Sequence, residues 1–355
     1  MKALFVPEYS NKGNPYQRIL ADSLSKKGVD VNFGATSSLF SVLRSLKNYW
    51  KPDILHIHWT TPFLFANSRI KTVIKSVGFI FGLLILKLSG IKIVWTAHNV
   101  VNHEVKFISL EPFFTRLMVE LCDKVIVHSP SAKNEIIKGY GFRTGQIAII
   151  PHGSYINYYK NVIDRAQARE RLQVGGDDVV FLYFGQVRPY KGVPELINAF
   201  KGLDCPQAKL FIVGEPLTFE IASDILRKCN GDGRIRTVLE FIPDDEIQIY
   251  MNAADIMVLP YRCVLTSGAA MLGMSFSKPV IAPSIGGMSD ILDSKGGFLY
   301  DPLQKDSLAK AMEQALTSEL KKMGEHNLEL SKRLSWDEIA QLTYDNYQEC
   351  FKRED

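Results

Sequence analysis

Short, mostly apolar runs recur along the chain, and helix-length stretches with apolar positions every three to four residues separate them. In the first half the runs lie at 2–6 (KALFV), 29–33 (VDVNF), 53–58 (DILHIH), 91–97 (IKIVWTA), 124–127 (KVIV) and 147–150 (IAII). In the second half they lie at 179–184 (VVFLYF), 208–213 (AKLFIV), 236–241 (RTVLEF), 256–259 (IMVL), 279–282 (PVIA) and 297–299 (GFL). Runs without strict alternation suit parallel strands covered on both faces. Their alternation with helices predicts right-handed βαβ units in doubly wound sheets, an α/β class. Two successive sets predict two domains, at 1–155 and 156–335, followed by a C-terminal segment at 336–355 whose helix lies near 336–352 (WDEIAQLTYDNYQECFK). The junction falls near 152–178, where PHGSYINYY gives way to a short charged helix and a Gly175-Gly176-Asp177-Asp178 turn. Two such domains are expected to face a cleft, with ligands beyond the carboxyl ends of the strands.

Composition adds exclusions. At 355 residues, 46% hydrophobic and 23% charged, the chain is neither disordered nor fibrous and can bury a core without disulfide staples. The five cysteines (Cys122, Cys205, Cys229, Cys263, Cys350) are scattered and form no C-x-x-C pair. A zinc site or a disulfide framework is therefore not expected, and a reducing cytoplasm fits best. The opening MKALFVPEYS is too short in its apolar run for a secretory leader and reads as a first strand. The longest apolar run, Val77 to Leu86, falls well short of the roughly 20 residues that span a bilayer.

Charge is divided. The net +4 conceals a first part, 1–155, with 19 Lys and Arg against 9 Asp and Glu, a net +10. The remainder has 23 against 29, a net −6. The basic part predicts an anionic partner: a lipid surface, a phosphorylated acceptor or a nucleic acid. No nucleic-acid-binding motif is present, so that partner is not expected.

Candidate chemistry lies just after strands. Gly185-Gln186-Val187-Arg188-Pro189-Tyr190-Lys191-Gly192 follows the strand 179–184. A close-approach glycine, a guanidinium fork and a point charge suit a diphosphate. After 256–259 comes Pro260-Tyr261-Arg262-Cys263-Val264-Leu265-Thr266-Ser267-Gly268, where Thr266 or Ser267 can cap a helix whose exposed amides favour an anion. Gly286-Gly287 is a further close-approach pair after 279–282. Six of the seven histidines lie in the first part. His56 and His58 share a strand face, but no third ligand is spaced nearby, so a metal is not expected. His58-Trp59 and His98 end strands and are candidates to line a site, with His103-Glu104 a turn later. Glu8 follows the first strand and is either a general base or a surface residue capping the next helix. Asn14 and Tyr16, in the same loop, join His58 and Trp59 as candidate acceptor contacts.

These segments resemble the GT-B glycosyltransferases over nearly the whole chain. The generic features are G-x-x-R-x-x-K-G (Gly185 to Gly192), KPVIA (278–282), Gly286-Gly287 and the final Ser335-Trp336 helix. More specific are DILHIHW (53–59), AHNVVNHE (97–104), FGQVRPYKG (184–192) and LPYRCVLTSG (259–268), which are similar to bacterial exopolysaccharide glycosyltransferases of the xanthan-pathway GDP-mannose:glycolipid 4-β-mannosyltransferase branch. The resemblance implies two Rossmann-like domains, with a nucleotide sugar held mainly by the second. The large retaining family 4 carries E-x7-E before its P-V-I strand, and here Val264 and Leu272 stand at those positions. A one-residue slip gives Leu265 and Gly273, which are no better. Thr266-Ser267-Gly268 becomes the substitute contact, with Glu240 a weaker one for ribose or base.

The resemblance thus implies an inverting transferase that draws on a nucleotide sugar, GDP-mannose favoured, and acts on a polyprenyl-diphosphate-linked or other glycan acceptor. No metal or other cofactor is expected, because Arg188, Lys191 and helix amides can stabilise a leaving diphosphate. The base is Glu8 or Glu104, with His98 a sugar or phosphate contact. A retaining transferase using a UDP-sugar, and a nucleotide-sugar-binding protein without turnover, stay open. The expected location is the inner face of the cell membrane. Arg69, Lys71, Lys75, Lys87 and Lys92 surround the run 77–86, and Tyr49 and Trp50 lie near Arg44, Lys47 and Lys51. That run is either an interfacial helix or a buried one with solvated lysines.

Overall fold

The structure is a computed structural model that describes residues 1–8, 14–34, 51–66, 68–99, 110–141 and 144–352. Among the described residues, twelve strands form two six-stranded sheets. The first contains β1 (Lys2–Val6), β2 (Asp30–Phe33), β3 (Ile54–Ile57), β4 (Lys92–Thr96), β5 (Lys124–Val127) and β6 (Ile147–Ile149), in the order β2-β1-β3-β4-β5-β6. The second contains β7 (Val179–Phe184), β8 (Ala208–Val213), β9 (Ile235–Val238), β10 (Ile256–Val258), β11 (Val280–Pro283) and β12 (Gly297–Tyr300), in the order β12-β11-β10-β7-β8-β9. Every pairing within them is parallel. All twelve predicted strands are present.

One predicted end is corrected. β9 stops at Val238 rather than continuing to 241, so Glu240 lies beyond the strand. The cause is its partner. β9 is an edge strand paired only with β8, and β8 ends at Val213, where Gly214 turns away with φ +138°.

Strand order fixes where loops part. In the second sheet β7 lies between β8 and β10, so the connections leaving β7 and β10 run to opposite sides. In the first sheet β1 lies between β2 and β3, and the same parting occurs after β1 and β3. These are the positions at which open α/β sheets leave room for a ligand.

The chain divides into two compact units, Met1–Gly153 with Ser335–Asp355, and Ser154–Leu334. The last helix, Trp336–Glu349, therefore belongs to the first unit. Ser335 caps it, accepting from the Glu338 amide at 3.3 Å, and Asp337 and Glu338 occupy the first turn, where negative charge is favoured. Its inner face puts Trp336, Ile339 and Tyr347 into a core with Phe5, Tyr16, Leu20 and Leu24. Gly153 passes so close beneath the Trp336 indole that any Cβ there would collide with the ring.

The second unit is pinned near its start by the helix Arg165–Arg171, which opens on an Asp164/Gln167 capping box. Arg169, 3% exposed, donates to Asp255 at 2.5 Å and to the carbonyls of Gly175, Gly176 and Asp178 at 2.7, 2.9 and 3.0 Å. Asp255 also accepts from the Val180 amide at 2.7 Å, so one ion pair ties this helix, the Gly-Gly turn and β7 together.

The run 77–86 lies inside the helix Arg69–Leu88. Neither expectation for it holds whole: Phe79, Leu83 and Leu86 are buried, while Val77, Phe81, Leu84 and Ile85 are exposed. No helix among the described residues is long and apolar enough to cross a membrane. Arg44, Lys47, Tyr49 and Trp50 lie outside the described residues. Replacing the buried indole of the last helix (Trp336→Ala) is expected to destabilise the first unit by about 3 to 5 kcal/mol. Urea unfolding followed by circular dichroism reads this, and an unchanged midpoint would show that the helix adds nothing to that core.

Candidate functional site

In the second unit, the loops after β7 and β10 are built against each other. Gly185 follows β7 with φ +128°, and a Cβ there would come within 3.3 Å of Lys191 Nζ. A single turn of tight helix, Pro189–Lys191, follows, and then Gly192 at φ +67°. A side chain at Gly192 would strike the Pro260 carbonyl oxygen, so the two loops touch only because this residue is glycine. The Arg262 amide donates to the Tyr190 carbonyl at 2.8 Å and closes the same junction. Gly286, at φ +54°, packs equally close to the Val264 carbonyl, and the Gly287 amide donates to Leu265 O at 3.0 Å.

On this frame the cationic groups converge. Arg188 Nε and Nη2 donate to Gln186 Oε1 at 3.0 and 2.8 Å. Lys191 Nζ stands 5.7 Å from the centre of the Tyr261 ring, within cation–π range. Tyr261 is buried, and that burial pushes its phenol well above the usual range, so it stays neutral. The Ser267 hydroxyl donates to it at 3.5 Å. Ser267 also caps the helix Gly268–Ser275, accepting from the Ala270 amide at 3.2 Å. Of the two caps the sequence allowed, Ser267 is the one used, and Thr266 Oγ1 is buried without a hydrogen-bond partner among the described residues.

Gly185, Arg188, Lys191, Tyr261, Thr266, Ser267 and Gly268 are thus brought to one loop cluster. Arg262 is there too, but its guanidinium is engaged: Nε donates to Glu195 Oε1 at 2.7 Å and Nη2 to the same oxygen. Sequence reasoning missed Glu195, whose only signal was its place in the first turn of the helix Val193–Lys201. Glu240 is exposed beyond β9, two strands away from β7.

The first unit gathers five histidines at the carboxyl ends of β3 to β6. They surround the Tyr16 ring, which packs edge-on or tilted against His58, His98, His128 and His152 at centroid distances of 5.8, 4.9, 5.4 and 5.1 Å. Trp336 closes the group 5.1 Å from Tyr16. His56 is held at both nitrogens, by Tyr347 Oη at 2.6 Å and Thr96 Oγ1 at 2.7 Å. His128 Nδ1–H donates to Ile150 O at 2.9 Å and His152 Nδ1–H to Gly153 O at 2.7 Å, which fixes their tautomers. His58 Nδ1 lies 3.3 Å from His98 Nε2, and His98 stacks on Trp59 at 4.7 Å.

Burial holds all five neutral. It lowers His56 and His152 to about 3 and His128 to about 4, with a neighbouring imidazole adding to the effect at His152. His58 and His98 lie well below the ordinary histidine range, first through burial and then through neighbouring histidines. Neutral His98 can exchange hydrogen bonds with a ligand but offers it no positive charge.

Several expectations change here. Tyr16, a candidate acceptor contact, is 1% exposed and acts as the hub of the packing, so it is not an acceptor contact. His58 is also buried, while Trp59 remains partly open. Asn14 accepts from the Tyr16 amide at 3.0 Å, just ahead of the helix Tyr16–Ser25. Glu8 is exposed beyond Pro7, whose carbonyl accepts from buried Gln17 at 3.1 Å. His103 and Glu104 lie outside the described residues.

A small cavity of about 20 Å³, room for a water molecule, opens beside Trp59, His98 and Asn99. Glu111 and Thr115, from the helix Glu111–Leu121, also line it. Glu111 is 3% exposed, and nothing in the sequence pattern separated it from a surface glutamate in a first turn. Among the described residues no three of His, Cys, Asp and Glu are grouped to hold a metal ion.

The neutral cluster predicts a pH effect with a definite sign. The unfolded chain takes up protons near pH 6.5 and the folded chain does not until near pH 4 to 3. Stability is therefore full above about pH 6.5 and falls as pH drops below it, by up to about 1.4 kcal/mol per pH unit for each histidine. Urea midpoints at pH 7.5, 6.0 and 5.0 measure this, and a flat series would contradict neutral burial.

Comparison with known proteins bears on the whole architecture. Residues 17–154 match Glycosyltransferase Family 4, and residues 164–334 match Glycosyl transferases group 1. The chain is 27% identical to the GDP-mannose:glycolipid 4-beta-D-mannosyltransferase of Xanthomonas campestris pv. campestris, over 99% of this chain and 93% of that protein. Among solved structures, sucrose-phosphate synthase from Thermosynechococcus elongatus superposes with a TM-score of 0.79 at 18% identity, covering 99% of this chain and 98% of that one. Anabaena HepE in complex with UDP and glucose gives 0.77 at 18% identity, covering 98% of this chain and all of that one (100%). These two structures share the fold, and the two domain matches, which together span most of the chain, identify it: the protein belongs to the GT-B glycosyltransferases and is a glycosyl-transferring enzyme.

Proposed function

We propose that this transferase moves mannose from GDP-mannose to a lipid-linked oligosaccharide in polysaccharide biosynthesis, with inversion at the anomeric carbon. The observation that carries the donor site is the convergence of Arg188, Lys191 and the Ser267-capped helix start where the loops of the second sheet part. Donor and acceptor classes rest on the printed activity of the Xanthomonas relative.

In this reading the diphosphate lies against Arg188, Lys191 and the amides at Gly268, which are already oriented before substrate arrives. As the glycosidic bond breaks, charge moves onto the diphosphate and these donors strengthen their hold. That is the role a divalent cation would otherwise play, so the reaction is proposed to need none. Glu8 takes the proton of the acceptor hydroxyl as that oxygen attacks the sugar. Glu104 is the second candidate, and neutral His98 with Trp59 contacts the sugar or phosphate. A β-linked product from an α-linked donor such as GDP-mannose requires inversion, which is the stereochemistry the relative's name implies. A retaining reaction is the second reading, favoured by the Family 4 match at 17–154. Against it, Val264 and Leu272 occupy the positions of the paired glutamates.

Arg188→Ala and Lys191→Ala are each expected to weaken GDP binding by at least about 10-fold, since a charge-assisted contact contributes about 1.5 to 3 kcal/mol. Calorimetry reads this, and unchanged affinity in both variants would remove the assignment. Glu8→Gln should lower turnover by about 10² to 10⁴-fold with the fold intact. Near-normal turnover would pass the role to Glu104. Nuclear magnetic resonance of the product's anomeric centre decides between inversion and retention.

A further inference from the structure

The helix Arg69–Leu88 is built inside out. Its inward face carries Thr72, Ser76 and Gly82 beside Phe79, Leu83 and Leu86. The two hydroxyls are bonded within the protein, Ser76 Oγ donating to Leu64 O at 2.5 Å and Thr72 Oγ1 to Ala66 O at 3.2 Å. Its outward face carries Ile70, Val73, Ile74, Val77, Phe81, Leu84, Ile85 and Leu88, all at least 37% exposed. These are eight of the nineteen large apolar side chains left exposed among the described residues, so the apolar exposure is concentrated on one element. At 100° per residue they fall within a sector about 120° wide, along a helix about 30 Å long.

We infer that this outward face is a membrane-docking surface that beds into the boundary between headgroups and acyl chains of an anionic bilayer. The inference deepens the reading of a lipid-linked acceptor by naming the surface that would bring the enzyme to it.

Three features favour lipid as the occupant. The helix contains no acidic residue. Its four cations border the stripe: Arg69 and Lys87 fall on one flank, Lys71 and Lys75 on the other, as expected where apolar side chains enter the acyl region and cations stay with phosphates. A second copy of this chain would instead bring two acid-free cationic helices together. Finally, the neighbouring helix Glu111–Leu121 packs against this one and leaves Phe113 58% exposed, adding an aromatic anchor. Insertion rather than charge alone carries the attachment. Lys87 and Lys92 both lie within 4 Å of Asp123, which offsets part of the charge expected from sequence.

The test is sedimentation of the full chain with vesicles of phosphatidylcholine alone or mixed with phosphatidylglycerol. Wild type is expected to bind both, more strongly with the anionic lipid. Ile74→Glu with Phe81→Glu, both on the solvent face, should lower the partition coefficient at least about 10-fold, or about 1.4 kcal/mol, with circular dichroism unchanged. Calorimetry with GDP on the same variant probes the second unit, so failure of the donor reading shows there and not in the vesicles. Equal sedimentation of variant and wild type would overturn the inference. So would absence of wild-type binding to either vesicle, whether the chain then self-associates through this face or stays monomeric and leaves it for a protein partner.

Discussion

Parallel strands that are covered on both faces leave chemistry only one way out. Each strand's backbone groups are spent laterally on its neighbours, and its side chains are buried above and below. Polar and charged groups are then confined to the residues where strands end. In this protein those ends hold nearly everything of chemical interest. Gly185 follows β7, Tyr261 and Ser267 follow β10, and His98, His128 and His152 follow β4, β5 and β6. Close loop approaches depend on glycines at 192 and 286, where a Cβ would strike the carbonyls of Pro260 and Val264.

The histidine cluster departs from ordinary core composition. Five imidazoles and two tyrosines, Tyr16 and Tyr347, fill a volume that aliphatic side chains would fill without desolvating polar atoms. Part of the cost is recovered through the bonds to Thr96, Tyr347, Ile150 and Gly153. Buried Nε2 atoms of His58 and His128 still find no partner among the described residues. Natural sequences keep such local exceptions where they serve more than stability, and this one meets the partly open Trp59 ring through His58 and His98.

Much of the fold was legible because strand runs and their spacing are local signals. All twelve strands, the capped helix at Ser267 and the glycine turns were visible as residue patterns. What depends on contacts distant in sequence was not. Tyr16 gave no sign of its depth, since its neighbours come from residues 58, 98, 128, 152 and 336. The engagement of Arg262 is equally hidden, because its partner Glu195 lies 67 positions away in the helix Val193–Lys201. The helix Arg69–Leu88 is apolar almost all round, so sequence could not say which face the core takes. The choice follows from where Leu64 and Ala66 accept its hydroxyls.

The chain crosses between its two units twice, after Gly153 and after Leu334, and the crossings are adjacent: the Ser154 amide donates to Leu334 O at 2.8 Å. The second unit is therefore an insertion into the first. Synthesis on the ribosome runs in one direction, so the unit that emerges first is the one that must finish last. Its sheet is complete in sequence by residue 149, yet Trp336, Ile339 and Tyr347 are the final large side chains of its core to arrive. Until they do, Phe5, Tyr16, Leu20 and Leu24 lack the cover of that helix, and the nascent first unit carries an unsealed apolar core while all 181 residues of its guest are made.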